Sequence, residues 1–223
     1  MGQRRCATTL EPEMTDLELA GLRDWLGRFD LKGKHLEVGT AAGGTLCFLM
    51  NCYEEGRRPP FVVVDRMTYF EDQMGVVERN LIGHDLDARS VDFNTMSSSE
   101  AFEHAHRTAD RFDFILIDAA HKIRHVMADL RWLRLLNVGG IACFHDYAPR
   151  FKGVQWPIDR FLNRNPHFSR VGQAGTLLCI RRDAPPSGRE VTMADRIWSI
   201  LWSPVLQLRQ SICKRLNRGD LGS

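Results

Sequence analysis

The sequence lacks any hydrophobic run near the roughly 20 residues that a membrane-crossing helix needs. Its opening residues, Met1–Arg5, are polar and basic with no apolar stretch behind them. Neither a transmembrane segment nor a signal peptide is therefore expected. Charge of one sign is also lacking: 30 basic residues stand against 28 acidic ones, and a net charge of +2 predicts no nucleic-acid partner. Six cysteines are present (Cys6, Cys47, Cys52, Cys143, Cys179 and Cys213), but none forms a C-x-x-C pair or a metal-ligand spacing. Cys143 and Cys179 lie in apolar runs and read as small core residues. This usage fits a reducing, cytoplasmic setting. No internal repeat or low-complexity segment interrupts the chain. What remains is 223 residues with 43% hydrophobic and 26% charged content, enough for one well-filled globular core.

One stretch organises the rest. His35-Leu-Glu-Val-Gly-Thr-Ala-Ala-Gly-Gly-Thr-Leu46 reads as a short strand, a glycine turn and the first turn of a helix. Before it, Thr15 and Asp16 can cap a helix over about 17–29. After it the spacing predicts a helix to about 55 and a strand Phe61-Val-Val-Val-Asp65, whose continuous β-branched run suits a sheet covered on both faces. A helix follows over 71–82, then a strand over 88–93. Another helix opens on Ser97 and Glu100, spaced as a capping box. A strand covers 112–118 and a helix 122–136, Asn137-Val-Gly-Gly140 turns, and a fifth strand covers 141–145. Strand–helix alternation of this kind predicts a parallel doubly wound sheet. A helix over about 154–163 then leads to two strands, 168–172 and 176–181, separated by Gln173-Ala-Gly175. A hairpin there requires one antiparallel partner. The expected fold is α/β: a Rossmann-like doubly wound sheet of seven strands with the last one reversed. A core domain over 1–182, with an N-terminal arm and helix within 1–30, precedes a linker and helical tail over 183–223.

A dinucleotide turn reads G-x-G-x-x-G, but the register here gives Gly39, Ala41 and Gly44, so the middle glycine that admits a pyrophosphate is missing. The pattern Glu37-x-Gly39-x-x-x-Gly43 resembles motif I of class I S-adenosylmethionine-dependent methyltransferases. The resemblance extends over roughly 30–182: Asp65 ends the second strand, and Phe-Asp-Phe-Ile-Leu-Ile-Asp118 precedes His121. Gly139-Gly140 and Phe-His145-Asp146-Tyr147 follow, and the terminal hairpin completes the pattern. Together these resemble the branch that methylates oxygen on small molecules, sugars and macrolide glycosides among them. The resemblance implies S-adenosylmethionine as cofactor. Its binding residues would be Glu37, Gly39, Thr40, Gly43, Asp65, Asn94 and Asp118, with Asp65 taking the ribose diol, Glu37 or Asp118 the ammonium, and the region of Asn94–Ser97 the adenine.

Methyl transfer to a hydroxyl also requires loss of a proton, hence a base or a metal. In the resembled branch a divalent cation sits between the acid ending strand four and two acids after strand five. Asp118 and Asp146 match two of these positions and His145 occupies the third, implying a cation of the Mg or Mn type on Asp118, His145 and Asp146. His121, three residues after Asp118, is the expected base beside it. His125 lies one helical turn further and Asp129 reads as a surface or supporting acid. Tyr147, Arg150 and Trp156 are candidates for the acceptor pocket. Cys47 and Cys52 have no base nearby and are not expected to act as nucleophiles.

The expected function is therefore methyl transfer from S-adenosylmethionine to a hydroxyl of a small acceptor, a sugar or glycosylated metabolite first. Two alternatives remain open: an NAD(P)-dependent oxidoreductase on the same turn, and a non-catalytic binding protein of methyltransferase fold. The tail over 193–217 carries Trp198, Trp202, an apolar face and the basic residues Arg209, Lys214, Arg215 and Arg218. An interfacial membrane helix is one reading. Docking on its own domain, or on a second copy in a homodimer, is the favoured one, with Pro204 interrupting the helix.

Overall fold

The computed structural model describes residues 14–185, 188 and 190–219, with side chains as far as 208. The loose arm expected over 1–13, Cys6, Cys213 and the side chains of Arg209, Lys214, Arg215 and Arg218 lie outside the described residues. Seven strands form one sheet: β1 (His35–Val38), β2 (Phe61–Val64), β3 (Val91–Asn94), β4 (Phe112–Ile117), β5 (Leu136–Phe144), β6 (Phe168–Ala174) and β7 (Leu177–Arg182). Their order is β3-β2-β1-β4-β5-β7-β6, with β7 antiparallel to both its neighbours and every other pairing parallel. The expected doubly wound sheet with a reversed last strand is therefore what the chain forms.

Period-two alternation distributes the strand side chains between two cores. Leu36, Val38, Ile115, Ile117 and Phe144 face one layer. That layer is built from α4 (Ser98–Arg107), α5 (Ile123–Asp129) and α6 (Lys152–Arg164). Phe61, Val63, Phe114, Leu116 and Cys143 face the other, with α1 (Asp16–Arg28), α2 (Gly44–Asn51) and α3 (Gln73–Gly83). Cys143 and Cys179 are fully buried in it, as their apolar surroundings predict.

Three boundaries differ from the sequence reading. The helix expected over 122–136 is α-helical only to Asp129 and tightens to a 3-10 turn over Leu130–Leu135. Strand β5 begins at Leu136 rather than after Gly140, because its register against β4 breaks between Phe112 and Phe114 and the segment 137–140 bulges out. The tail is one continuous helix, α7 (Met193–Gly219), running through Pro204. Pro204 is exposed. The carbonyl that loses its helical N–H partner there can hydrate instead. Helix α7 packs on α5 and α6. No helix among the described residues is long and apolar enough to cross a membrane.

Glu18 joins three parts of the fold. Its Oε2 accepts from the Thr15 amide (2.8 Å) and hydroxyl (2.9 Å), closing the capping box of α1. Its Oε1 accepts from the Thr176 amide and hydroxyl, both at 2.7 Å, which pins the β6–β7 turn to α1. Burial opposes its charge, but these hydrogen bonds outweigh burial and lower its pKa from 4.5 to about 2. A carboxyl held below its unfolded value stabilises the fold above that value and loses the contribution as pH falls through the folded value. Glu18→Gln is expected to cost roughly 1–3 kcal/mol at neutral pH. Thermal melts of both proteins should show a gap that is full above pH 4.5 and closes as pH falls toward about 2.

Candidate active site

All parallel strands point their carboxyl ends to one edge, and a cavity of about 970 Å³ opens there. This is the upper end of the roughly 300–1,000 Å³ common for small-molecule sites, room for a nucleoside-sized ligand and a second small molecule. Gly39, Ala41, Asp65, Ser97–Ser99, Asp118, His121, Asp129, His145 and Asp146 contribute to its walls.

The glycine turn forms one wall. Gly39 has φ +87°, and a Cβ there would lie 2.3 Å from the carbonyl oxygen of Asp118. Only glycine lets the ends of β1 and β4 approach so closely. Ala41, the residue in place of the missing middle glycine, is itself left-handed at φ 45°. Met67 (φ 55°) and Asp146 (φ 57°) share this conformation after β2 and β5. Such strain in non-glycine residues costs of order 1 kcal/mol each and persists where surrounding bonds fix it. At Met67 the bond is visible: its amide donates to Asp65 Oδ1 at 2.7 Å. Asp65 Oδ2 accepts from the Thr40 amide at 3.0 Å, so one carboxylate holds the glycine turn and the loop after β2 together.

Of the expected cofactor residues, Gly39, Asp65 and Asp118 line the cavity. Glu37, Thr40, Gly43 and Asn94 do not. Gly43 is the left-handed N-cap of α2 (φ 84°), facing Val77. Asn94 ends β3, where its carbonyl accepts the Asp65 and Met96 amides; the wall in that direction is made by Met96 and Ser97–Ser99 instead. Glu37 is buried behind the turn on the α1–α3 face, with no hydrogen-bond partner for either carboxyl oxygen. Burial foremost, and then the charges of Asp118 and Asp65, raise its pKa from 4.5 to about 8. The adjacent Thr40 hydroxyl offsets only part of this and is itself without a good hydrogen bond. Cys47, behind the same turn, is pushed up to about 12 by burial and by Glu37, so it is inert as a nucleophile.

The ends of β4 and β5 bring an imidazole among carboxylates. His145 Nδ1 donates to Asp118 Oδ1 at 3.1 Å and lies 3.8 Å from Asp146 Oδ2, while Nε2 faces Glu18 Oε2 at 3.6 Å. Burial works against the ring's charge. The Asp118 hydrogen bond and the charges of Asp118, Asp146 and Glu18 overcome it and raise the pKa to about 9. His145 is therefore an imidazolium with both ring nitrogens turned to carboxylates. Asp118, His145 and Asp146 do converge, but an imidazole nitrogen is a poor ligand for a hard cation of the Mg or Mn type. Among the described residues no group of three or more His, Cys, Asp or Glu is disposed to hold one. This donor set does not fit a resident Mg or Mn ion; the imidazolium supplies positive charge between the same carboxylates.

His121 faces the cavity with its side chain half exposed. Its Nε2 lies 2.7 Å from Asp146 Oδ2, and its ring stacks on Phe151 at 5.4 Å between centroids. Asp146 thus orients the His121 ring. Asp129, expected as a surface or supporting acid, is only 4% exposed. Burial raises its pKa to about 6 even though Ser98 Oγ donates to it. Its spacing of four from His125, itself four from His121, already placed all three on one helical face. Arg66, Thr68 and Tyr69, on the loop after β2, also line the cavity and carry no motif that could have marked them. The acceptor-pocket candidates lie elsewhere. Tyr147 is buried and donates to Asp159, Trp156 packs edge-on against Trp202, and Arg150 stacks on Phe151.

A doubly wound sheet with a reversed final strand and an acid-lined cavity beside a glycine turn defines the methyltransferase architecture. The methyltransferase-domain family matches residues 36–147, half of the chain, and the chain belongs to that family. This sets aside the oxidoreductase reading. Comparison with curated protein sequences finds no match. Solved structures share the fold at low identity. The O-methyltransferase from Bacillus cereus in complex with SAH is 17% identical with a TM-score of 0.60, covering 76% of this chain and 82% of that one. CalS11, a TDP-rhamnose 3'-O-methyltransferase of calicheamicin biosynthesis, is 17% identical with a TM-score of 0.59, covering 73% and 77%. TomG from Streptomyces achromogenes, an O-methyltransferase of tomaymycin synthesis in complex with SAM, is 14% identical with a TM-score of 0.60, covering 77% and 82%.

The turn at Gly39 is testable without a ligand. Gly39→Ala adds a Cβ against the Asp118 carbonyl and a left-handed alanine, and is expected to destabilise the fold by about 2–4 kcal/mol in urea melts.

Proposed function

We propose that this protein is an S-adenosylmethionine-dependent O-methyltransferase acting, in a cytoplasmic setting, on a small hydroxylated acceptor. A sugar or a glycosylated metabolite is the first candidate. The observation that carries the reading is the His121–Asp146 pair, whose half-exposed imidazole lines the same cavity as Gly39 and Asp65. When bound, S-adenosylmethionine supplies an electrophilic methyl group and leaves as the neutral thioether.

The chain's own residues account for the rest. Asp65, already anchored by the Thr40 and Met67 amides, keeps lone pairs for a ribose diol. Asp118 offers a carboxylate to a ligand ammonium, partly neutralised by His145. His121 donates Nε2–H to Asp146, which leaves Nδ1 as the proton acceptor. The acceptor hydroxyl gives its proton to that nitrogen as its oxygen takes the methyl group, and Asp146 steadies the imidazolium that results. The sugar assignment draws on the stated activity of CalS11 and on the hydroxyl, carboxylate and imidazole side chains among the cavity's lining residues.

The test is formation of S-adenosylhomocysteine from S-adenosylmethionine across a panel of sugars, glycosides and phenols. Turnover is expected with at least one acceptor. His121→Ala should lower kcat by about 10²–10⁴-fold, the usual worth of a general base, and Asp146→Asn should lower it in the same direction. Unchanged turnover in both variants would remove the pair from the mechanism. S-adenosylmethionine binding with no methyl consumed on any acceptor would favour the non-catalytic alternative.

A further inference from the structure

Helix α7 has two different apolar faces. The inward one is committed: Asp195, Ser199 and Leu206 are buried, Arg160 and Arg164 pair with Asp195, and Trp202 meets Trp156. The outward one is bare. Met193, Ile197, Ile200, Leu201, Val205 and Leu208 are between 49% and 67% exposed. At helical spacing these six fall within one arc of about 140°, centred opposite the buried side. Docking of α7 on its own domain is thus already complete and leaves this stripe uncovered. Contiguous apolar surface of this kind marks an interaction site.

Charge selects the occupant. Asp195 is the only acid in α7, and it is buried and paired. Residues 209–219, which continue the helix, carry four basic residues and no acid. A second copy would bring the same excess of positive charge and no carboxylate from its own α7 to meet it. An anionic lipid surface offers hydrocarbon for the stripe and negative headgroups for the cations.

We propose that the outward face of α7 docks on an anionic membrane surface, lying in the plane of the interface. Helix α7 packs along α5, which contributes His125, Ala128 and Asp129 to the cavity wall. A bound protein therefore holds its cavity one helix away from the lipid. The proposal rests on α7 alone and stands independently of the reading of the cavity.

The experiment is co-sedimentation of the full chain with phosphatidylcholine vesicles, with and without phosphatidylserine. The wild-type chain is expected to sediment with the phosphatidylserine vesicles and to partition about tenfold less onto phosphatidylcholine alone. Added salt should release it. Ile197→Glu/Leu201→Glu/Val205→Glu should abolish binding with an unchanged melting temperature, since the three side chains point away from the domain; Leu208→Glu alone should weaken binding and serves if the triple variant does not fold. Failure of the wild-type chain to sediment, or equal sedimentation of a folded stripe variant, would overturn the proposal. So would a wild-type dimer in solution that Leu208→Glu converts to monomer, which would assign the stripe to a second copy.

Discussion

Everything at the open edge of the sheet depends on one ion, the imidazolium of His145. Three carboxylates converge around it: Asp118 from the end of β4, Asp146 from the residue after His145, and Glu18 from α1. Without a cation among them they would repel one another in a partly buried site. The imidazolium offsets part of that repulsion. Glu18 in turn holds the Thr176 end of the reversed hairpin. The charge at the cavity is therefore linked through Glu18 to the turn between β6 and β7.

This arrangement assigns the two histidines different work. His145 is nearly enclosed and charged, so it cannot accept a proton; it sets the local potential. His121 is half exposed, stacked on Phe151 and oriented by Asp146, the geometry that suits the base proposed above. The left-handed backbone at Asp146 fits this division of labour, because adjacent residues after β5 reach carboxylate and imidazole partners on different elements. A cation site made of three acids and the His145 site supply positive charge by different means, one by binding an ion and one by holding a proton.

The fold was legible because its signals are local and repeated. The β-branched run at Phe61–Val64, the glycine turn and the alternation of strand and helix each fix a layer, and the Gly175 turn announced the reversal. What escaped was non-local. The bulge that starts β5 at Leu136 depends on register against β4, which no single segment encodes. Pro204 reads as a helix break until its exposure is known. At the site, Gly39, Asp65, Asp118 and His121 stood out by position relative to strand ends. Glu37 is in the motif yet lies behind the turn, because strand alternation sends it to the other face. The partnership of Asp146 with His121, and of Glu18 with His145, joins residues 25 and 127 positions apart, and only the assembled sheet edge brings them together.

The central claim is that the cavity beside Gly39 and Asp65 receives S-adenosylmethionine rather than a dinucleotide. Calorimetric titration of the purified chain with S-adenosylhomocysteine and, separately, with NADH tests it most directly. One-to-one binding of S-adenosylhomocysteine with no heat from NADH is the predicted result. Binding of NADH in its place, or no binding of S-adenosylhomocysteine by a folded chain, would contradict it.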